Sequence, residues 1–314
     1  MIQTDIQQSN IETKPITLFG KEYQVYTGSC CSSISAKRTL YVEFTELCNA
    51  HCPFCSAYHG RNTLSPTTLK TCLDELVSSG AVDRISITGG EPLIVGDFLT
   101  LSRLFDTLEQ SELEYYALTT NGRYLAKNIV LLDSLKKLRY LNVSRHNQDD
   151  TRNCEIFGDR YIPDMDELAA MLKMLKRDGL DFRLNCTLQS DDATLDIPKY
   201  IKSAADHDIR NVLFRADYFG NVDCRLRETF SEVLQGRKES TKCRCMYGTA
   251  DGVSVEYREV DAELEQKLER DGGYIRNFVL HADGRLTGGW SYGSVQIANF
   301  DQKFRVTRAK ASAT

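Results

Sequence analysis

Three thiols stand close together at Cys48, Cys52 and Cys55, separated by three residues and then two, in the run Cys48-Asn49-Ala50-His51-Cys52-Pro53-Phe54-Cys55. Cysteine thiolates are soft metal ligands. Four of them close an iron–sulfur cube, so three leave one iron without a protein ligand. Catalytic metal sites keep such an open position and structural ones do not. The same cysteines with His51 or His59 also match the donor types of a zinc site, and the spacing alone leaves both chemistries open.

A second group, Gly89-Gly90-Glu91-Pro92, follows the strand-like run Arg84-Ile85-Ser86-Ile87-Thr88. Two glycines let a backbone approach a ligand closely and leave its polar groups free to bond it. Glu91 can accept a hydrogen bond from an ammonium group, and Pro92 fixes the exit from the turn. The group lies roughly 35 residues beyond the cysteines, the length of one βα unit.

Together the two groups resemble the radical S-adenosylmethionine (radical SAM) superfamily, whose hallmark is C-x3-C-x2-C with an aromatic residue, here Phe54, before the last cysteine. The resemblance implies a [4Fe–4S] cluster on Cys48, Cys52 and Cys55, with S-adenosylmethionine bound to the open iron. An electron from the cluster then cleaves the sulfonium, and the 5′-deoxyadenosyl radical so released abstracts a substrate hydrogen. It also implies an electron donor of the flavodoxin or ferredoxin type. By the same resemblance, Gly89, Gly90, Glu91 and Pro92 hold the amino group of S-adenosylmethionine. Thr119-Thr120-Asn121-Gly122 is similar to a run common in relatives of the molybdopterin-precursor-synthase type, which places Thr120 and Asn121 near the ligand. Ser144 falls where the family bonds the ligand's carboxylate or ribose, and Asn185 and Arg215 fall at two further contact positions. The acidic residue usual after that serine is replaced by Arg145 and His146. Arg145 can pair with a carboxylate or phosphate and His146 can serve as an acid–base group, so both are candidate substrate contacts.

These residues need elements to position them. Short runs rich in β-branched and aromatic residues occur at Leu40–Phe44, Ile85–Thr88, Tyr115–Thr119, Tyr140–Val143, Phe182–Leu188 and Val212–Arg215. Between them apolar residues recur three and four apart, as at Phe98, Leu101, Leu104 and Leu108. That alternation of periods predicts repeated βα units on a parallel sheet. Six units predict an α/β fold, a partial (β/α)6 barrel with its function at the carboxyl ends of the strands. The motifs obey this, each following a different strand. Arg183, Asn185 and Thr187 share one face of their strand, and a polar face inside a barrel is unusual unless it meets a ligand or water.

The rhythm breaks near residue 221. Residues 1–37 read as an extension with a hairpin around Gly20-Lys21, 38–220 as the barrel, and 221–314 as a smaller α+β lobe covering the substrate. Phe278–His281, Asp283-Gly284 and Arg285–Thr287 read as a hairpin. The lobe offers Cys224, Cys243 and Cys245, too few for a complete auxiliary cluster. One of these thiols facing the substrate would be a hydrogen-atom donor; packing is the plainer role. Cys72 and Cys186 read as small buried residues.

Charged residues are 26% of the chain and hydrophobic residues 41%, as in a soluble globular enzyme. A net charge of −5 argues against a duplex nucleic-acid binder. No stretch nears the ~20 apolar residues of a membrane span, and the 11 cysteines suit reduced thiols in the cytoplasm. The 37 residues before the barrel are too few for an independent peptide-binding domain. The expected substrate is therefore a small polar metabolite, such as a sugar, nucleoside or antibiotic intermediate, with a peptide as the alternative. A non-catalytic iron–sulfur or zinc regulator is the reading from another class.

Overall fold

Alternating burial along each central strand sets the architecture. In Tyr116–Thr120 the residues Tyr116, Leu118 and Thr120 are buried while Ala117 and Thr119 are half-buried. A computed structural model describes residues 13–26, 38–55, 57, 59–95, 97–175, 178–189, 193–216, 224–239, 245–259, 274–275, 277–290, 294–300 and 306–307. The chain opens with the hairpin β1 (Thr13–Leu18) and β2 (Lys21–Tyr26). Phe19 and Gly20 both adopt positive φ between them, as a two-residue hairpin turn requires.

The six expected βα units follow. They are β3 (Arg38–Glu43) and α1 (Pro66–Ser78), β4 (Val82–Thr88) and α2 (Phe98–Gln110), β5 (Tyr116–Thr120) and α3 (Leu125–Ser134), β6 (Leu138–Ser144) with α4 (Asp150–Phe157) and α5 (Met165–Met174), β7 (Asp181–Leu188) and α6 (Ile197–Asp206), and β8 (Asn211–Ala216) and α7 (Cys224–Val233). Local chemistry starts the helices where the sequence changes period. Ser65 caps α1 by accepting from the Thr68 N–H, with Pro66 in the first turn. Asp164 and Glu167 form a reciprocal capping box on α5. The helices bury Leu69, Leu73 and Leu76 of α1, Leu101, Leu104 and Leu108 of α2, and Tyr200, Ile201 and Ala204 of α6 on one side of the sheet. Each buried leucine stabilises the fold by about 1.5–3 kcal/mol.

The remaining strands are β9 (Gln235–Glu239), β10 (Met246–Ala250), β11 (Val253–Arg258), β12 (Phe278–Leu280), β13 (Arg285–Thr287), β14 (Gln296–Phe300) and β15 (Val306–Thr307). They join the same sheet, in the order β15-β14-β13-β12-β3-β4-β5-β6-β7-β8-β11-β10-β9. Every pairing from β12 through to β11 is parallel. The segment read as a lobe of its own thus extends both edges of the barrel sheet. The sixth βα unit ends with α7 at Val233, beyond residue 220, and the sheet continues past it. The expected β12–β13 hairpin is present, turning at Gly284.

The helix-free face of the sheet is polar, and the sheet curls around it. Tyr41 of β3 shares that face with Arg215 of β8 and Arg258 of β11, by the register of the intervening strands. In a flat sheet the five steps from β3 to β8 would hold them about 24 Å apart, beyond the ~8–10 Å screening length. Tyr41 nevertheless lies within electrostatic range of both arginines. The polar face is therefore the lining of a lumen, open at its edges and not closed as a full barrel.

Candidate functional site

The cysteine loop springs from the end of β3 and is stapled shut at its base. Glu46 and Leu64 donate their N–H groups to the carbonyls of Asn62 and Phe44. The buried Glu46 carboxylate accepts from both the backbone and the side chain of Asn62. Within the loop the Cys55 N–H bonds the Cys52 carbonyl, and the Ala50 N–H points at the Cys48 sulfur at 3.3 Å. Cys48 and Cys52 are half-buried and Cys55 is exposed.

Those thiols suit iron–sulfur ligation. Burial and mutual repulsion with Cys55 and Cys48 push the Cys52 thiol up to about 12. Burial, Glu91 and Cys55 push Cys48 up to about 11, and burial and Glu43 raise Cys55. Without a cation the loop holds neutral thiols, and a bound metal's charge would deprotonate them. Among the described residues, no three His, Cys, Asp or Glu side chains converge as they do on a single ion. His51 and His59 instead stack on each other at 6.2 Å. A cube would take the three thiolates at separate corners and leave its fourth iron without a protein ligand.

Gly89-Gly90-Glu91 turn out to grip the cysteine loop itself. The Gly90 and Glu91 N–H groups donate to the Thr45 and Leu47 carbonyls at 2.8 and 2.7 Å. A Cβ on Gly90 would lie 2.0 Å from the Leu47 oxygen, and one on Gly89, at φ +120, would lie 2.7 Å from that of Thr45. The close approach these glycines permit is made here to the backbone of the cysteine loop. Glu91 is 1% exposed. Its carboxylate accepts from Thr120 Oγ1 (2.6 Å), the Asn121 N–H (2.7 Å) and the Leu93 N–H (3.1 Å). A carboxylate has about four lone-pair sites, so one remains. Burial outweighs these bonds and pushes its pKa up to about 7. Asn121 also donates to the Asn49 side chain, which in turn donates to Asp159. The cysteine loop and the loops after β4 and β5 therefore form one hydrogen-bonded rim.

Ser144 ends β6 half-buried, directly opposite Asn185 of β7. The Asn185 Oδ1 is buried without a hydrogen-bond partner, an orphan acceptor on the polar face. Arg215 stands on the same face one strand further. Arg145 and His146 do not fit the substrate-facing roles read from their types. Arg145 is 2% exposed, its guanidinium spent on Asp150 and the Gln148 carbonyl. His146 accepts the Thr187 N–H at Nδ1, which puts its proton on Nε2. Burial and the neighbouring Arg145 charge push it down to about 3, so it stays neutral and cannot cycle protons near pH 7. Its ring lies between Phe54 (4.7 Å) and Phe157 (4.8 Å), and so it props the aromatic residue of the cysteine motif.

Sequence reasoning missed the seat beneath the cysteine loop. Phe157, at the end of α4, accepts the His51 N–H at 2.8 Å, and Ala50, Phe157 and Ile162 form a small apolar cluster under Cys48, Cys52 and Cys154. Asp149 as cap and Gly158 as left-handed stop mark α4 in the sequence, but nothing local shows that it meets a loop about a hundred residues earlier. Cys72 and Cys186 are buried, as expected. Cys245, a candidate hydrogen donor, is 1% exposed with its thiol on the Glu259 carbonyl. Cys243, Cys30, Cys31 and the Cys224 side chain lie outside the described residues.

By fold the protein is an α/β partial barrel with its motif loops gathered on one rim. Residues 42–181 match the Radical SAM superfamily. A [4Fe–4S] cluster and S-adenosylmethionine are the cofactors of that family. The chain is similar to a GTP 3′,8-cyclase of Sinorhizobium medicae, 28% identical over 257 residues that cover 79% of this chain and 66% of that protein. It is also similar to a GTP 3′,8-cyclase of Mycolicibacterium smegmatis, 32% identical over 154 residues covering 46% and 40%. The chain spans between 40% and 66% of the length of these curated relatives. Among solved structures, Streptococcus suis SuiB bound to precursor peptide SuiA aligns at a TM-score of 0.57 and 17% identity, over 81% of this chain and 59% of SuiB. That likeness is one of fold.

Proposed function

We propose that the protein is a radical SAM enzyme acting on a small polar metabolite such as a sugar, nucleoside or antibiotic intermediate. The reading is carried by the backbone docking of the three-cysteine loop on Gly90 and Glu91, with Glu91 buried at the centre of the rim. When bound, the cluster and S-adenosylmethionine supply a 5′-deoxyadenosyl radical that abstracts hydrogen from the substrate. Cys48, Cys52 and Cys55 hold the cluster, and Phe54 shields it. Glu91 offers its remaining lone pair to the ligand's ammonium group, with Pro92, Thr120 and Asn121 fixing its position. Ser144, Asn185 and Arg215 present polar groups to the rest of S-adenosylmethionine from the lumen side. The C-terminal strands cover the substrate, and a flavodoxin- or ferredoxin-type donor in the cytoplasm delivers electrons at the exposed Cys55 side. The lumen's polar lining supports a small polar substrate over an apolar one.

Anaerobic reconstitution with iron and sulfide tests this. About four irons per chain are expected, with 5′-deoxyadenosine and methionine formed on reduction. Ala at all three cysteines should abolish the absorbance near 400 nm characteristic of such clusters. Stoichiometric zinc without iron would sink the reading.

A further inference from the structure

Three arginines stand on the lumen face, and the site described above uses only one of them, Arg215. Register pairs Thr187 with Arg215 and Arg215 with Arg258, which puts Arg183, Arg215 and Arg258 on one face of the neighbouring strands β7, β8 and β11. Glu256 lies on that face too and is the carboxylate they share. Its oxygens sit 2.5 Å from Arg258 Nε and 3.6 Å from Arg183. Arg215 makes no hydrogen bond or ion pair with any described residue. Asp181, exposed where β7 begins, is matched on the far side by the exposed Lys238 of β9, which faces Tyr247 in register. Among the described residues of this face, three guanidiniums against one carboxylate leave an excess of two positive charges. Like charges gathered on one face repel, with Arg183 and Arg258 half-buried and Arg215 exposed, and an anion joining them relieves that repulsion.

We propose that Arg183, Arg215 and Arg258 form the binding site for a doubly charged anionic group, a phosphate or paired carboxylates, on the substrate. The inference deepens the proposed function and rests on it for the word substrate. A guanidinium row suits this chemistry because each fork offers paired donors to a carboxylate or phosphate. One other source of the anion is the carboxylate of S-adenosylmethionine. That group carries a single negative charge, beside its own ammonium, and would leave one guanidinium unmatched. Glu256 has a role in this arrangement: it holds Arg183 and Arg258 in place and keeps the empty row from being more strongly cationic.

Calorimetric titration of the anaerobic full-length protein with inorganic pyrophosphate and with malonate, under saturating S-adenosylmethionine, tests the assignment. At least one probe should bind saturably. Arg258→Gln and Arg183→Gln should each weaken it at least tenfold, and more than they weaken S-adenosylmethionine. Glu256→Gln should tighten it several-fold, an effect that a misfolded variant cannot produce. The assignment is overturned if neither probe binds, if the probes are displaced by S-adenosylmethionine, or if Glu256→Gln leaves both affinities unchanged. 5′-Deoxyadenosine formation, measured separately, reports on the radical SAM reading whatever the titration shows.

Discussion

Glu91 shows how a single side chain can join two loops and still keep capacity for a ligand. Its three donors come from the loop it begins and from the end of β5, so replacing the carboxylate disturbs the rim as well as any ammonium group bound there. A charge-assisted hydrogen bond contributes about 1.5–3 kcal/mol. Glu91→Gln should therefore weaken S-adenosylmethionine binding roughly tenfold to hundredfold; unchanged affinity would remove Glu91 from the ligand site. The ligand-free protein carries a pH signature of the same residue. Its folded pKa of about 7 lies above the ordinary ~4.3 of glutamate. The stability this group contributes is thus full below about pH 4.3 and is lost as pH rises through about 7. Against Glu91→Gln as reference, the parent should lose about 3 kcal/mol across that window, because each pH unit between the two pKa values is worth about 1.4 kcal/mol. Denaturant melts of both proteins at pH 4.5 and 8 measure it, and a pH-independent difference would contradict the burial argument.

At the scale of elements, the motif loops are held by backbone and not by the side chains that make them recognisable. A methyl group on Gly90 would lie 2.0 Å from the Leu47 oxygen, a contact that must push the cysteine loop off the end of β4. Gly90→Ala should therefore lower iron incorporation severely, by well over half, while the helices and the thermal transition largely persist. A variant that reconstitutes like the parent would show that the loop is positioned from elsewhere. The candidate elsewhere is α4, whose last carbonyl and apolar cluster support the loop from below. That seat shows why sequence gives some of the site and withholds the rest. Strands at Leu40, Ile85, Tyr115, Tyr140, Phe182 and Val212 could be read because period-2 alternation is local. The cysteine and Gly-Gly-Glu runs could be read because their spacing is a chemical requirement. Phe157 under His51, and the burial that turns Arg145 and His146 into scaffolding, depend on contacts between distant segments. An arginine or histidine after a strand looks the same in sequence whether it faces solvent or core.

For the whole molecule, the telling feature is that the sheet does not stop where the βα rhythm stops. β12 lies against β3, the strand that launches the cysteine loop, in parallel register from Phe278–Leu40 to Leu280–Val42. His281 reaches from the end of β12 to the buried Glu43 at 2.8 Å, and bonds Thr287 with its other nitrogen. Trp290 packs on Tyr41 at 5.2 Å. The segment from 274 onward also buries Phe278, Leu280, Leu286, Ile297 and Phe300. At about 1.5–3 kcal/mol each, these five side chains contribute as much as the whole net stability of an ordinary domain, about 5–15 kcal/mol. A chain ending at residue 273 should therefore lose its single cooperative transition and expose the β3 edge to aggregation. A dispensable cap would predict the opposite: a soluble barrel that melts close to the parent and still takes up about four irons. Thermal melting of the two lengths, followed by iron analysis of the soluble fraction, separates these outcomes, because the strand that carries the cysteine loop is the one left without its neighbour.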